Sequence, residues 1–301
     1  MPEAPLVIVN PTAGSGRAGR LVTWLQERLA RRPDARLAIT SAAGEAERLA
    51  SRAAGEHDRV VAVGGDGTVQ EVVNGLLEAS GNHAALGIVP VGSGNDLARS
   101  LRLPSEPAEA WTAAIGNVEV PTDVARARSG DGRERWFASA GGIGFDAQVA
   151  AAMTHRSGWQ RGRAGYLLTT VSELRRFRNR SVRITLDGEE AIERDVLLVA
   201  ITNGSFYGGG MRIAPDASVH DGMLDLCIVG NVSRLTAIGQ LPNLYRGTHT
   251  NHPAVEMRRG RTVEIDGDDH TLVHLDGEPF GTLPVRVEMH RAVLNVAMVL
   301  R

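Results

Sequence analysis

The chain has 301 residues, 43% of them hydrophobic and 23% charged, which argues against disorder and gives length for one large or two modest domains with buried cores. A formal net charge of -2 argues against a general nucleic-acid binder, which carries a basic face. All 33 basic residues are arginine, so no lysine can act as base or phosphate ligand, and the single Cys227 excludes an intrachain disulfide and a cysteine-cluster metal site.

The start, Met1-Pro2-Glu3-Ala4-Pro5, lacks a basic and then apolar leader, and no stretch of about 18 uninterrupted apolar residues occurs. The expected compartment is the cytoplasm, with any membrane contact peripheral, at the inner face. Leu6–Val9 is an apolar run that predicts a buried strand, followed by the turn-rich loop Asn10–Gly16. Leu21, Trp24, Leu25 and Leu29 give helical periodicity over Arg20–Arg31. Arg36–Thr40 predicts a strand, Ala43–Ala54 a helix, Arg59–Val63 a strand and Thr68–Ala79 a helix. Leu86–Pro90 is a fourth strand before a helix from Asp96. Strand, loop and helix repeated four times imply parallel strands with right-handed crossovers.

After about Val120 the texture changes. Trp136–Ala140, Val182–Leu186, Val196–Asn203, Leu224–Val229, Val255–Arg258, Thr262–Asp266 and Val285–Met289 predict strands, most joined by short turns as in an antiparallel domain. Tyr166–Arg178 and Arg234–Tyr245 read as helices. The expected fold class is α/β plus β. A parallel-sheet α/β nucleotide-binding domain takes 1–122, and a β-rich antiparallel, sandwich-like domain takes 123–301. Val293–Leu300 alternates, and the strand 290–301 could return to the first domain.

The first, third and fourth strands each end in a glycine-rich loop, and in a parallel sheet such loops share the carboxyl edge, where ligands bind. The first loop spells a dinucleotide fingerprint at Gly14, Gly16 and Gly19. The fingerprint needs an acid at the end of the next strand, and that strand ends Ile39-Thr40-Ser41. The second, Gly64-Gly65-Asp66-Gly67-Thr68, can turn successive amides toward an anion at a helix start. Asp66 among those amides would repel phosphate unless it binds Mg²⁺ or takes a proton. In the third loop, Gly92-Ser93-Gly94-Asn95-Asp96, Asn95 or Asp96 also reads as a helix N-cap.

These residues resemble the diacylglycerol-kinase catalytic domain, whose family includes bacterial soluble lipid kinases and sphingosine and ceramide kinases. The carriers are Asn10-Pro11-x-x-Gly14, Gly64-Gly65-Asp66-Gly67-Thr68 and Gly92-Ser93-Gly94-Asn95-Asp96-Leu97-Ala98-Arg99. Further on they are Gly141–Asp146, Asn203–Gly210, Ala214–Ala217, Asp221–Asp225 and Leu275-Asp276-Gly277-Glu278-Pro279. The resemblance implies an ATP-dependent lipid kinase. Asn10, Pro11, Thr12, Ala13, Gly14, Thr40, Gly64, Gly65, Asp66, Gly67, Thr68, Val69, Gln70 and Ser93 fall where that family holds ATP. Asp66, Asp96 and Asp123 fall on an acidic network tied to catalytic Mg²⁺. Asp276 or Glu278 falls on the general base. Ser218, Asp221 and Met223 fall on a structural Mg²⁺ site, through the Asp221 carboxylate and the Ser218 and Met223 carbonyls. Where relatives carry lysine beside the phosphates, Arg17 is the nearest candidate.

Read by themselves, Asp276-Gly277 is a hairpin turn, Asp221-Gly222 a type I′ turn, and His249-x-x-His252 a loop coincidence. Arg156, Arg161, Arg163, Arg175, Arg176, Arg178 and Arg180 surround Tyr166, Leu167, Leu168, Val171, Leu174 and Phe177. That segment is either a membrane-facing surface or a solvated helix. The expected acceptor is a lipid alcohol, diacylglycerol first, giving phosphatidic acid. An NAD kinase-like enzyme with a soluble acceptor and a non-catalytic nucleotide-binding regulatory protein are the alternatives. No nucleic-acid partner is expected, and a homodimer is left open.

Overall fold

In the computed structural model, three of the four apolar runs of the first half are strands buried along nearly their whole length, as a parallel sheet covered by helices requires. The structure describes residues 5–32, 34–81, 84–154, 163–174, 177 and 179–299. It divides into two compact units, residues 1–123 with 292–301, and residues 124–291.

The first unit is an α/β layer. In chain order it holds β1 (Leu6–Val9), α1 (Ala13–Arg20), α2 (Val22–Leu29), β2 (Arg36–Ile39), α3 (Glu45–Ala53), β3 (Arg59–Gly64), α4 (Asp66–Glu78), β4 (Ala85–Pro90), α5 (Asp96–Ser100), α6 (Pro107–Ala114) and the start of β5 (Val118–Ser129). The strands run β2-β1-β3-β4, and each neighbouring pair is parallel. Val7, Val9, Val61, Val63 and Val89 pack on Leu25 and Trp111. Burying each such side chain stabilises by about 1.5–3 kcal/mol. Helices α3 and α4 touch through Gly75, where an added Cβ would lie 2.2 Å from the Glu47 carbonyl oxygen. Two helix starts differ from expectation. Helix α4 begins at Asp66 rather than Thr68. The helix expected over Arg20–Arg31 is α2, while α1 forms in part where the loop Asn10–Gly16 was expected and opens through the left-handed residues Gly14, Ser15 and Gly16, with φ of 61, 57 and 83°.

The second unit is β-rich. It holds the end of β5, then β6 (Glu134–Phe137), β7 (Ala140–Gly144), α7 (Phe145–Thr154), α8 (Arg163–Leu174), β8 (Arg180–Leu186), β9 (Ile192–Thr202), β10 (Leu224–Gly230), α9 (Arg234–Arg246), β11 (Val255–Gly260), β12 (Thr262–Gly267), β13 (Leu272–Leu275), β14 (Glu278–Thr282) and most of β15 (Val285–Met298). The pairs among β5 to β14, and β12 with β15, are antiparallel, and β9 pairs with β7, β8 and β10. Successive side chains of β9 alternate between two cores. Val199 and Ile201 join Phe137, Ile184 and Leu226, while Leu198 and Ala200 join Phe145, Leu174 and Ile213 beneath the helices. Strand β15 is one 14-residue strand where two were expected, with Ala292 left-handed inside it (φ 52°). Past that residue, within the first unit, Val296 pairs parallel with Leu86 of β4.

Among the described residues no helix is long and apolar enough to cross a membrane. Of the basic stretch singled out in the sequence, Arg156, Arg161, Arg175, Arg176 and Arg178 lie outside the described residues.

Candidate functional site

The three glycine loops of the first unit touch one another, and glycine permits each contact. A Cβ on Gly14 would lie 2.1 Å from the Val91 carbonyl oxygen, and one on Gly92 would lie 2.6 Å from Gly65 Cα. Neither position tolerates a side chain. Arg17 clasps the first and third loops, its Nε donating to the Gly14 carbonyl and an Nη to the Gly92 carbonyl, both at 3.1 Å. Those bonds commit part of the guanidinium to the loops. Asn10 Nδ2 donates to Thr68 Oγ1 at 3.2 Å, linking the first loop to the second, and Asn10 Oδ1 accepts from the Thr12 N–H and hydroxyl.

The second loop turns into α4 at Gly65, with no side chain capping the helix. Helix N-termini leave unpaired N–H groups and a partial positive charge, so this start can take an anion. Asp66 is the first helical residue, and its carboxylate reaches the third loop. The Asn95 N–H donates to Oδ2 at 2.8 Å and the Asp96 N–H to Oδ1 at 2.6 Å. Asp66 thus does for α5 what an N-cap side chain normally does. Asn95, left-handed at φ 56°, makes no cap and donates its side-chain amide to the Gly92 carbonyl. Above Gly94 the two acids converge, because a Cβ there would sit 2.4 Å from Asp66 Oδ2 and 3.5 Å from Asp96 Oδ2. Each Asp66 oxygen retains acceptor capacity, so this cradle fits a hard cation with oxygen ligands.

Other expected nucleotide residues are placed less directly. Ser93 is exposed at the loop tip. Thr40 is buried at the end of β2, its hydroxyl 3.4 Å from the Val9 carbonyl. Val69 and Gln70 turn their side chains into the core, which leaves only their backbone for a ligand. Asp123 is also buried, Oδ1 accepting from the Ala292 N–H at 2.8 Å where the last strand re-enters this unit.

In the second unit, Asp276 and Gly277 are both left-handed (φ 47 and 84°) and join β13 to β14, with Leu275 opposite Glu278. That is the hairpin turn read from the sequence. The Asp276 carboxylate accepts three backbone N–H groups, Ala138 on Oδ2 and Ser139 and Ala140 on Oδ1, at 2.9–3.0 Å. Asn203 holds the same segment from the other side, its Nδ2 donating to the Ala138 carbonyl at 2.8 Å. Glu278 is exposed on β14. Three segments distant in sequence thus meet around residues 138–140.

Comparison with known proteins assigns the chain. A family model for the diacylglycerol kinase catalytic domain matches residues 4–127, and one for the YegS C-terminal NAD kinase beta sandwich-like domain matches residues 139–298. A diacylglycerol kinase of Mycobacterium tuberculosis is 32% identical over 292 residues, covering 96% of this chain and 93% of that protein. The chain belongs to the diacylglycerol kinase family. It is a lipid kinase. A probable lipid kinase, YegS-like, of Chromohalobacter salexigens is 34% identical over 245 residues, 80% of this chain and 76% of its own. A crystal structure of a diacylglycerol kinase from Bacillus anthracis superposes with a TM-score of 0.75 at 25% identity, covering 99% of this chain and 97% of that one.

This family member departs from one implied feature. Asp221 is exposed, and its Oδ1 accepts from the Met223 N–H at 3.0 Å while its Oδ2 accepts from an Arg259 Nη. Arg259 Nε lies 3.0 Å from Asp225 Oδ1. A guanidinium therefore holds the carboxylate that a structural Mg²⁺ would need, so the residues around Ser218, Asp221 and Met223 do not fit that ion. Only Gly222 of the Asp221-Gly222 pair is left-handed (φ 72°), so the turn is not type I′. Burial pushes Asp225 up to about 6, against the pull of Arg259 and with the charges of Asp221 and Asp216 adding to the rise.

An apolar cavity lies inside the second unit, with about 830 Å³ of empty space counting the solvent at its mouth. Phe145 and Val149 of α7, Leu174 of α8, Tyr207, and Leu241 and Leu244 of α9 line it. His249 and His252, set aside in the sequence, are in its wall. Burial lowers His249, whose Nε2 is 3.1 Å from the Ile213 carbonyl, and burial also pushes the Cys227 thiol up to about 12. Sequence reading missed this cavity, whose lining is spread over residues 145–255.

Proposed function

We propose that the protein transfers the γ-phosphoryl group of ATP to the hydroxyl of a lipid alcohol, diacylglycerol first, giving phosphatidic acid. The cavity of the second unit carries the lipid half of this reading. Its lining of aliphatic and aromatic side chains suits an acyl chain, since ligand pockets are lined mostly by such groups. A soluble acceptor such as NAD would leave that apolar surface unmatched.

For the nucleotide half, the uncapped start of α4 and the glycine loops hold the phosphates through backbone N–H groups. Asp66 and Asp96 would hold Mg²⁺, which when bound offsets charge on the transferring phosphoryl group. Phosphoryl transfer needs positioning more than covalent chemistry, and Asp66 keeps the second and third loops in register. Glu278 takes the proton of the lipid hydroxyl, because it is exposed while Asp276 is committed to three amides.

Purified protein with labelled ATP, Mg²⁺ and a panel of diacylglycerol, other lipid alcohols and NAD is expected to label a lipid. Label in NAD, or binding without transfer, would overturn the reading. Ala237→Trp, which fills the cavity wall from α9, is expected to raise KM for a long-chain diacylglycerol about 10-fold while leaving KM for ATP unchanged. Unaltered lipid kinetics would remove the cavity from the acceptor site.

The same helix supports a peripheral membrane contact. Leu235 is 83% exposed, and Ile238 and Tyr245 are exposed beside it. The segment Arg234–Arg246 carries an arginine at each end and no acid. Such a face suits an anionic bilayer. The wild type is expected to float with phosphatidylglycerol vesicles and Leu235→Glu to float less. Equal flotation of the two would dismiss α9 as the contact.

A further inference from the structure

Arg259 owes its position to backbone register rather than to a flexible loop. It sits on β11 directly opposite Asp225 of β10 in an antiparallel ladder. From there its Nη donates to Asp221 Oδ2 and its Nε lies 3.0 Å from Asp225 Oδ1. Asp221 in turn closes its own turn through the Met223 N–H at 3.0 Å. The turn is thus tied to the sheet through one carboxylate bonded on both oxygens. A divalent cation there would have to displace the guanidinium from Asp221 or sit against its positive charge, and hard cations want about six oxygen ligands. The cluster is nonetheless acidic by design. Two carboxylates face one guanidinium, and Asp225 Oδ2 is buried with no hydrogen-bond partner.

We propose that the Arg259 guanidinium replaces the divalent cation that the family resemblance implies at the Ser218–Met223 turn, so that the second unit holds this turn without metal. Removing the arginine should uncover the site it replaces. Asp221 and Asp225 would then face each other uncompensated, an arrangement that a cation relieves.

Thermal unfolding of the full chain without nucleotide tests this, in EDTA and in millimolar Mg²⁺ against Na⁺ of equal ionic strength. The wild type is expected to unfold at the same midpoint in all three. Arg259→Ala is expected to unfold earlier in EDTA and to be restored by Mg²⁺ but not by Na⁺, since a ligand that binds only the folded state raises the midpoint. The restoration should vanish in Arg259→Ala with Asp221→Asn. A wild-type midpoint that rises with Mg²⁺, and no longer does so in Asp221→Asn, would overturn the proposal. So would an Arg259→Ala protein indifferent to Mg²⁺. Should Arg259→Ala fail to fold, Arg259→Gln takes its place, and metal analysis of wild-type protein decides independently. Stoichiometric bound Mg²⁺, absent from Asp221→Asn, would count against it.

Discussion

Replacing Asp66 with asparagine is expected to lower turnover about 100-fold while the protein remains folded, because a shift of about 1 Å in a positioning loop has that effect. The carboxylate accepts the Asn95 and Asp96 N–H groups on separate oxygens, at 2.8 and 2.6 Å. An amide offers one oxygen and would point its own N–H₂ at the other donor. A buried donor left unpaired costs about 1–3 kcal/mol, enough to displace the Gly92–Asp96 loop but too little to unfold the unit. This effect separates a loop anchor from a simple metal ligand. If Asp66 serves only Mg²⁺, excess Mg²⁺ should restore much of the rate and hydrogen exchange at Asn95 and Asp96 should stay slow. If it anchors the loop, those two amides should exchange faster in the variant, and excess Mg²⁺ should not restore the rate. Slow exchange at both, with activity recovered, would sink the anchoring role.

That anchor also marks the limit of what the sequence made legible. Periodicity and apolar runs placed β1 to β4 and helices α2 to α4, though not α1, because burial on both faces of a parallel sheet needs continuous apolar strands such as Val60–Val63. Three glycine loops at one sheet edge followed from topology alone. Their interlocking did not, since the contact of Gly92 with Gly65 spans residues far apart in sequence and depends on side chains that are absent. The capping of α5 by Asp66 was hidden for a related reason. Asn95 and Asp96 carry the local signal for an N-cap, yet the cap comes from 29 residues earlier for the first of those amides.

Strand β7 shows the opposite bias. Ala140-Gly141-Gly142-Ile143-Gly144 has poor strand propensity, yet it is fully buried between β13 and β9. Side chains there would collide, at 2.7 Å from Leu275 at position 141 and 2.2 Å from Asp146 at position 142. Close packing therefore overrides propensity. Helix α6 left a clearer trace that the chain-order reading passed over. Glu106 precedes Pro107 and accepts from the Ala108 and Glu109 N–H groups, the pattern of a helix start. The cavity had no local trace, because its wall is drawn from helices α7, α8 and α9, strands β9, β10 and β11, and the loops between them. Arg259 was equally silent, since its role depends on the β10–β11 register.

The Asp276–Glu278 hairpin yields the second large effect, and its two acids should fail differently. Glu278→Gln is expected to lower turnover about 10²–10⁴-fold, the usual loss of a general base. ATP affinity and the unfolding midpoint should stay near wild type, since Glu278 is exposed on an edge of the hairpin. Asp276→Asn removes the anion that gathers the Ala138, Ser139 and Ala140 N–H groups. Leaving such donors poorly matched costs about 1–3 kcal/mol, so that variant should unfold several degrees earlier as well as turn over more slowly. The carboxylate also fixes residues 138–140 against Asn203, so its loss should disturb the floor on which the base stands. Measuring kcat, the dissociation constant for ATP and the unfolding midpoint for both variants gives the assignment. Near-normal kcat in Glu278→Gln, with a large loss in a fully stable Asp276→Asn, would transfer the proton-accepting role to Asp276. Near-normal kcat in both would remove the hairpin from the chemistry and leave it as the turn that its two left-handed residues already make it.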